Sequence, residues 1–62
     1  MRFEVIDITN RRWIVESASE SELRYAIYNG EILDAEIIGV GKMENPWKLN
    51  MKYVLSYRKE VE

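Results

Sequence analysis

The sequence predicts one small α+β domain, residues 1–62, of ββαββ order. The expected sheet has four antiparallel strands in spatial order 2-1-3-4, with the helix on one face. Three observations lead there. A single stretch, Ser19 to Asn29, carries both helix-start and helix-stop chemistry. The other apolar residues recur mainly at alternate positions, the period of a half-buried strand. Short turn signals containing Asn, Gly or Pro separate these stretches.

Arg2 to Ile8, rich in Phe, Val and Ile, reads as the first strand. Phe3 and Val5 share one face and Ile6 and Ile8 the other, so either both faces are partly covered or a bulge intervenes. Thr9-Asn10-Arg11 is a turn, because Asn10 tolerates positive φ. Arg12 to Ser17 is the second strand, with Trp13 and Val15 on one face, and the two strands form a hairpin.

Ser19-Glu20-Ser21-Glu22 is a capping box: the Ser19 hydroxyl can accept from the Glu22 N–H, and the Glu22 carboxylate can reach back to the N–H of Ser19. Ser17 with Glu20 is an alternative start. Leu23, Ala26 and Ile27 form a narrow apolar stripe for one sheet face. Arg24 follows Glu20 by four residues, a favourable exposed pair. Gly30 suits the left-handed position that ends a helix. Tyr25 points nearly opposite the apolar stripe. It reads either as a solvated tyrosine or as a contact residue, since tyrosine buries a large area at low entropic cost.

Glu31 to Lys42 reads as the third strand and Trp47 to Tyr57 as the fourth, with Glu44-Asn45-Pro46 as the turn between them. In the fourth, Trp47, Leu49, Met51, Tyr53, Leu55 and Tyr57 alternate with Lys48, Asn50, Lys52, Val54 and Ser56. A turn centred on Asn45 makes paired positions sum to 90, setting Leu33 against Tyr57, Ala35 against Leu55, Ile37 against Tyr53 and Gly39 against Met51. The remaining pairs are Gly41 with Leu49 and Met43 with Trp47. An eleven-residue strand spans about 36 Å, whereas the helix above it reaches only about 16 Å. Trp47, Leu49 and Met51 are therefore expected to project as an apolar patch and to join two copies into a homodimer.

Composition excludes several kinds of chemistry. The chain has no Cys and no His, which removes disulfides, zinc fingers and thiolate sites. Ser17, Ser19 and Ser21 have no His to activate them and sit at the spacing of a helix cap. Asp34 and Glu36 lie two apart on one strand face, where a divalent ion or a shared proton competes with a plain solvated face. Gly39-Val40-Gly41 has no following helix and so is no phosphate loop. The chain reads as non-enzymatic, with no cofactor and no metal. No stretch approaches the roughly 20 apolar residues of a membrane span. The N-terminus lacks a signal-peptide pattern, so a cytoplasmic protein is expected.

The net charge of −2 conceals an asymmetry. Between Glu16 and Glu36 lie six acids (Glu16, Glu20, Glu22, Glu31, Asp34, Glu36) and one base (Arg24). Between Lys42 and Lys59 lie five bases (Lys42, Lys48, Lys52, Arg58, Lys59) and one acid (Glu44). Opposite patches of this kind steer partners, or a second copy of the chain. Lys42, Lys48 and Lys52 near Trp47 would suit single-stranded nucleic acid. The acidic stretch could instead mimic a phosphate backbone toward a DNA-binding partner.

The run Trp13-Ile14-Val15-Glu16-Ser17-Ala18-Ser19-Glu20-Ser21-Glu22-Leu23, leading to Asn29-Gly30-Glu31-Ile32, resembles small accessory proteins of bacteriophages and mobile elements. Several of these bind and inhibit a host protein. The resemblance implies a regulator or inhibitor working in the host cytoplasm, and carries over no functional residue. The reading is thus a small protein-binding module, with Tyr25, Trp47, Leu49, Met51, Lys48 and Lys52 as candidate contacts. Nucleic-acid binding through Lys42, Lys48, Lys52 and Trp47 is the alternative.

Overall fold

The computed structural model describes residues 1–40 and 47–60. Five strands and one helix follow in the order β1 (Arg2–Asp7), β2 (Arg12–Glu16), α1 (Glu20–Asn29), β3 (Ile32–Ile37), β4 (Trp47–Asn50) and β5 (Val54–Lys59). A single 3-10 turn, Met51–Tyr53, separates β4 from β5. All neighbouring strands are antiparallel, in the order β4-β3-β2-β1-β5. The α+β class stands, but the four-stranded sheet of order 2-1-3-4 does not. β3 pairs with β2 instead of β1, through Trp13↔Ile37 and Ile14↔Glu36.

The difference begins at Asn50. Its side chain accepts a hydrogen bond from the N–H of Lys52 at 3.0 Å and starts the 3-10 turn. The chain then leaves β3 and crosses to the free side of β1. A continuous strand of about 36 Å would not fit a molecule whose longest extent is 27 Å. Breaking it buries Met51 completely beneath the helix and supplies a fifth strand. β5 carries an irregularity where Ile6 pairs Ser56 and Asp7 pairs Val54, so Leu55 is the extra residue. The bulge turns Val54 and Tyr57 toward the core and leaves Leu55 exposed. The simple alternation from Trp47 to Tyr57 therefore fails at Tyr53 and Leu55, both of which are exposed.

The register of the second hairpin is also corrected. Leu33 pairs Leu49, Asp34 pairs Lys48 and Ala35 pairs Trp47, so positions sum to 82. The expected partners of Leu33, Ala35 and Ile37 (Tyr57, Leu55 and Tyr53) lie beyond β4, and Tyr57 pairs Val5 instead. Both sums are even, so the faces are right while the offset is wrong. A shift by an even number of residues preserves inside and outside, and alternation alone cannot detect it. The expected turn at 44–46, with Gly41, Lys42 and Met43, falls outside the described residues.

Local chemistry accounts for the rest. Ser19 is the N-cap, its hydroxyl accepting from the Glu22 N–H at 3.2 Å. Gly30 sits at φ 65°, with its N–H on the Ile27 carbonyl, while the Glu31 N–H reaches the Ala26 carbonyl at 3.0 Å. This pair of bonds is a Schellman stop. Asn10 takes the left-handed conformation at φ 66° in the first hairpin turn. Beside it, Asp7 accepts from the Thr9 N–H and hydroxyl, the Arg11 N–H and the Trp13 indole. Phe3, Val5, Val15, Leu23 and Met51 are the fully buried centre of the core between helix and sheet.

Candidate functional site

The sequence-predicted contact residues are not brought together. Tyr25 is exposed on α1, as its position opposite the apolar stripe requires. Leu49 and Met51, expected to project as a patch, are core residues. Trp47 is half-buried against that core, its indole N–H buried and without a hydrogen-bond partner among the described residues. Lys48 neighbours Trp47 in sequence but points to the opposite sheet face, where it pairs with Asp34. Lys52 is exposed on the 3-10 turn beside Gly30. Strand alternation therefore separates Lys48 from the aromatic ring that a nucleic-acid platform would need beside it, and Lys52 lies beyond the strand on the 3-10 turn. Lys42 lies outside the described residues.

The two faces of the sheet differ in how their charges are used. On the face away from the helix, most charges answer one another across strands, Glu36 being the exception among the described residues. Glu4, only 9% exposed, receives Arg58 at 2.9 Å and Arg12 at 3.3 Å. Arg2 lies 3.6 Å from Glu16 and 3.5 Å from Glu60, and Lys48 holds Asp34. Ile6 and Ile14 are half-buried among them. This is a ladder of internal ion pairs.

The helix flank is arranged otherwise. A groove of about 630 Å³ runs between α1 and the adjoining ends of β2 and β3. Ala18, Ala26 and Leu33 give it an apolar lining, and Ser17 and Ser21 add hydroxyls. Its charged residues are Glu16, Glu22 and Glu31, with Tyr25 in the wall and no base among the lining residues. Each position follows from local structure. The Ser19 cap starts the helix so that Ser21, Glu22 and Tyr25 share the flank. The Gly30 reversal returns Glu31 to the helix end, its N–H on the Ala26 carbonyl, and so into the groove lining before β3 begins. Pairing of β3 with β2 then brings Glu16 to the same groove. Glu16 is partly neutralised by Arg2 and by the terminal amine at 4.0 Å. Among the described residues, Glu22 and Glu31 have no cation within 4.0 Å. One helical turn past Tyr25, Tyr28 is 90% exposed.

Two further groups tie this scaffold together. The Arg24 guanidinium donates to the Tyr57 hydroxyl at 2.8 Å, and that hydroxyl donates to Glu20 at 3.4 Å, linking α1 to β5. The Tyr57 hydroxyl and the Glu20 carboxylate both favour the charged guanidinium, and the Arg24 pKa is raised. Asp7 is the opposite case. Burial disfavours its charge, but four donated hydrogen bonds outweigh that and lower its pKa to about 2. It fastens the first hairpin and faces no groove.

Sequence reasoning placed Glu16, Glu22 and Glu31 in an acidic stretch but not in one site. The excess of acids between Glu16 and Glu36 was the available signal. Their convergence depends on β3 lying against β2, which the expected strand order denied. Among the described residues no helix is long and apolar enough to cross a membrane. No family model matches the chain, and neither a curated protein nor a solved structure matches it.

Proposed function

We propose that this chain is a non-enzymatic protein-binding module that docks its partner on the α1 flank. The observation that carries the reading is the exposed Tyr25, which lines one groove with two carboxylates, Glu22 and Glu31, that have no cation within 4.0 Å among the described residues. A module that needed these charges for its own fold would pair them, as Glu4 is paired. Unpaired charge beside an exposed aromatic and an apolar lining has the composition of an interface awaiting a partner. Occupying a partner's surface in this way suits a regulator or inhibitor. The homodimer expected on Trp47, Leu49 and Met51 loses its basis, because Leu49 and Met51 already fill the core. In this reading the partner is a different protein.

The test is affinity capture from the native host with the wild-type chain, Tyr25→Ala and Tyr28→Ala as baits. A partner held by the wild type and lost from Tyr25→Ala supports the reading. Equal capture by all three baits contradicts it.

A further inference from the structure

We infer that the groove beside α1 accepts a basic segment of the partner, with a lysine or arginine side chain laid along its lining. This inference rests on the protein-binding reading and names the chemistry of what is bound. The groove pairs two features that a long basic side chain also pairs. Ala26 and Leu33 offer an apolar surface for the aliphatic stem. Glu22 and Glu31 offer carboxylates for the charged head, and the Tyr25 ring adds a cation–π contact. Every charged residue of the lining is an acid, so an acidic peptide or a nucleic-acid backbone is repelled. A bare metal ion fits poorly, because no three acidic groups converge to metal-binding distance among the described residues. A small ion would also leave the apolar lining unused. Among the described residues the open sheet face is mostly self-paired: its acids Glu4 and Asp34 already hold Arg12, Arg58 and Lys48, and Glu36 alone there has no ion pair.

The experiment is a titration of the isotope-labelled chain with hexalysine and hexaarginine at low salt, followed by amide shifts, with hexaglutamate as control. The inference expects shifts confined to Ser17–Glu22, Tyr25 and Glu31–Leu33 with the basic peptides, and none with hexaglutamate. The Glu22→Gln/Glu31→Gln double variant should weaken binding about ten-fold. Glutamine keeps the side-chain volume, and the Ser19 cap uses the backbone N–H of residue 22, so the variant retains the fold. An unchanged thermal midpoint verifies that. Shifts centred on Asp34, Glu36 and Glu60, no shifts at millimolar peptide, or affinity unaffected by the double variant would each overturn the inference. The host capture separates this from failure of the broader reading. If Tyr25→Ala loses the partner and the Glu22→Gln/Glu31→Gln bait keeps it, protein binding stands and the basic segment falls. If all baits capture equally, both fall.

Discussion

The open sheet face and the α1 flank both carry charged side chains, yet only one spends them on the fold. On the open face Glu4 is nearly buried between Arg12 and Arg58, and Arg2 bridges Glu16 and Glu60. On the flank, Glu22 and Glu31 border the groove with no base in its lining, and Tyr25 and Tyr28 are exposed. Internal pairs satisfy charge without a partner, whereas unpaired acids of one sign around a groove raise the local potential and select an opposite charge. Pairing, more than the number of charges, distinguishes the open face from the flank proposed to bind.

Four perturbations test this contrast. The largest effect belongs to the core under the flank. Met51→Ala should cost about 2–5 kcal/mol in denaturant unfolding, because the side chain is fully buried. A cost near zero would return Met51 to the surface and revive the apolar patch.

Acid comes next. The Asp7 pKa is about 2 in the fold against an ordinary 3.8. A depressed carboxylate stabilises the fold fully above its unfolded value. That contribution, about 2 kcal/mol, fades as pH falls from about 4 toward 2. Asp7→Asn should be less stable than the wild type at pH 7 and show a flatter pH profile through that window. Parallel profiles would show that Asp7 does not carry the acid sensitivity.

Glu4→Ala should cost about 1–2 kcal/mol, since it strips the shared partner from Arg12 and Arg58, which themselves remain largely exposed to water. The smallest effect is expected on the flank. Glu22→Gln with Glu31→Gln should move stability by no more than about 0.5 kcal/mol. If this pair cost as much as Glu4→Ala, the two surfaces would not differ in kind.

The parts legible in the sequence are those decided by local chemistry. Ser19 and Gly30 bound the helix because cap and stop geometry involve residues within one turn. Asn10 marks the first turn for the same reason. What could not be read depends on distant competition. The run from Trp47 to Tyr57 alternates cleanly, yet Asn50 starts a 3-10 turn and β5 gains the free side of β1. That choice weighs a longer strand against burial of Met51, and nothing local expresses it. The offset of β3 against β4 is hidden likewise, because every even shift keeps Leu33 and Ala35 facing inward. The groove inherits this difficulty: the exposure of Tyr25 was visible in its helix position, but Glu16 and Glu31 line the same groove only once β2 and β3 are neighbours.

The most direct measurement is cross-saturation transfer from the captured host partner to the labelled chain. Docking on the α1 flank attenuates Ser21, Tyr25, Tyr28 and Glu31 and leaves Ile6, Ile14 and Ser56 unaffected. Attenuation centred on Ile6, Ile14 and Ser56, with the helix flank silent, would place the interface on the open sheet face and contradict it.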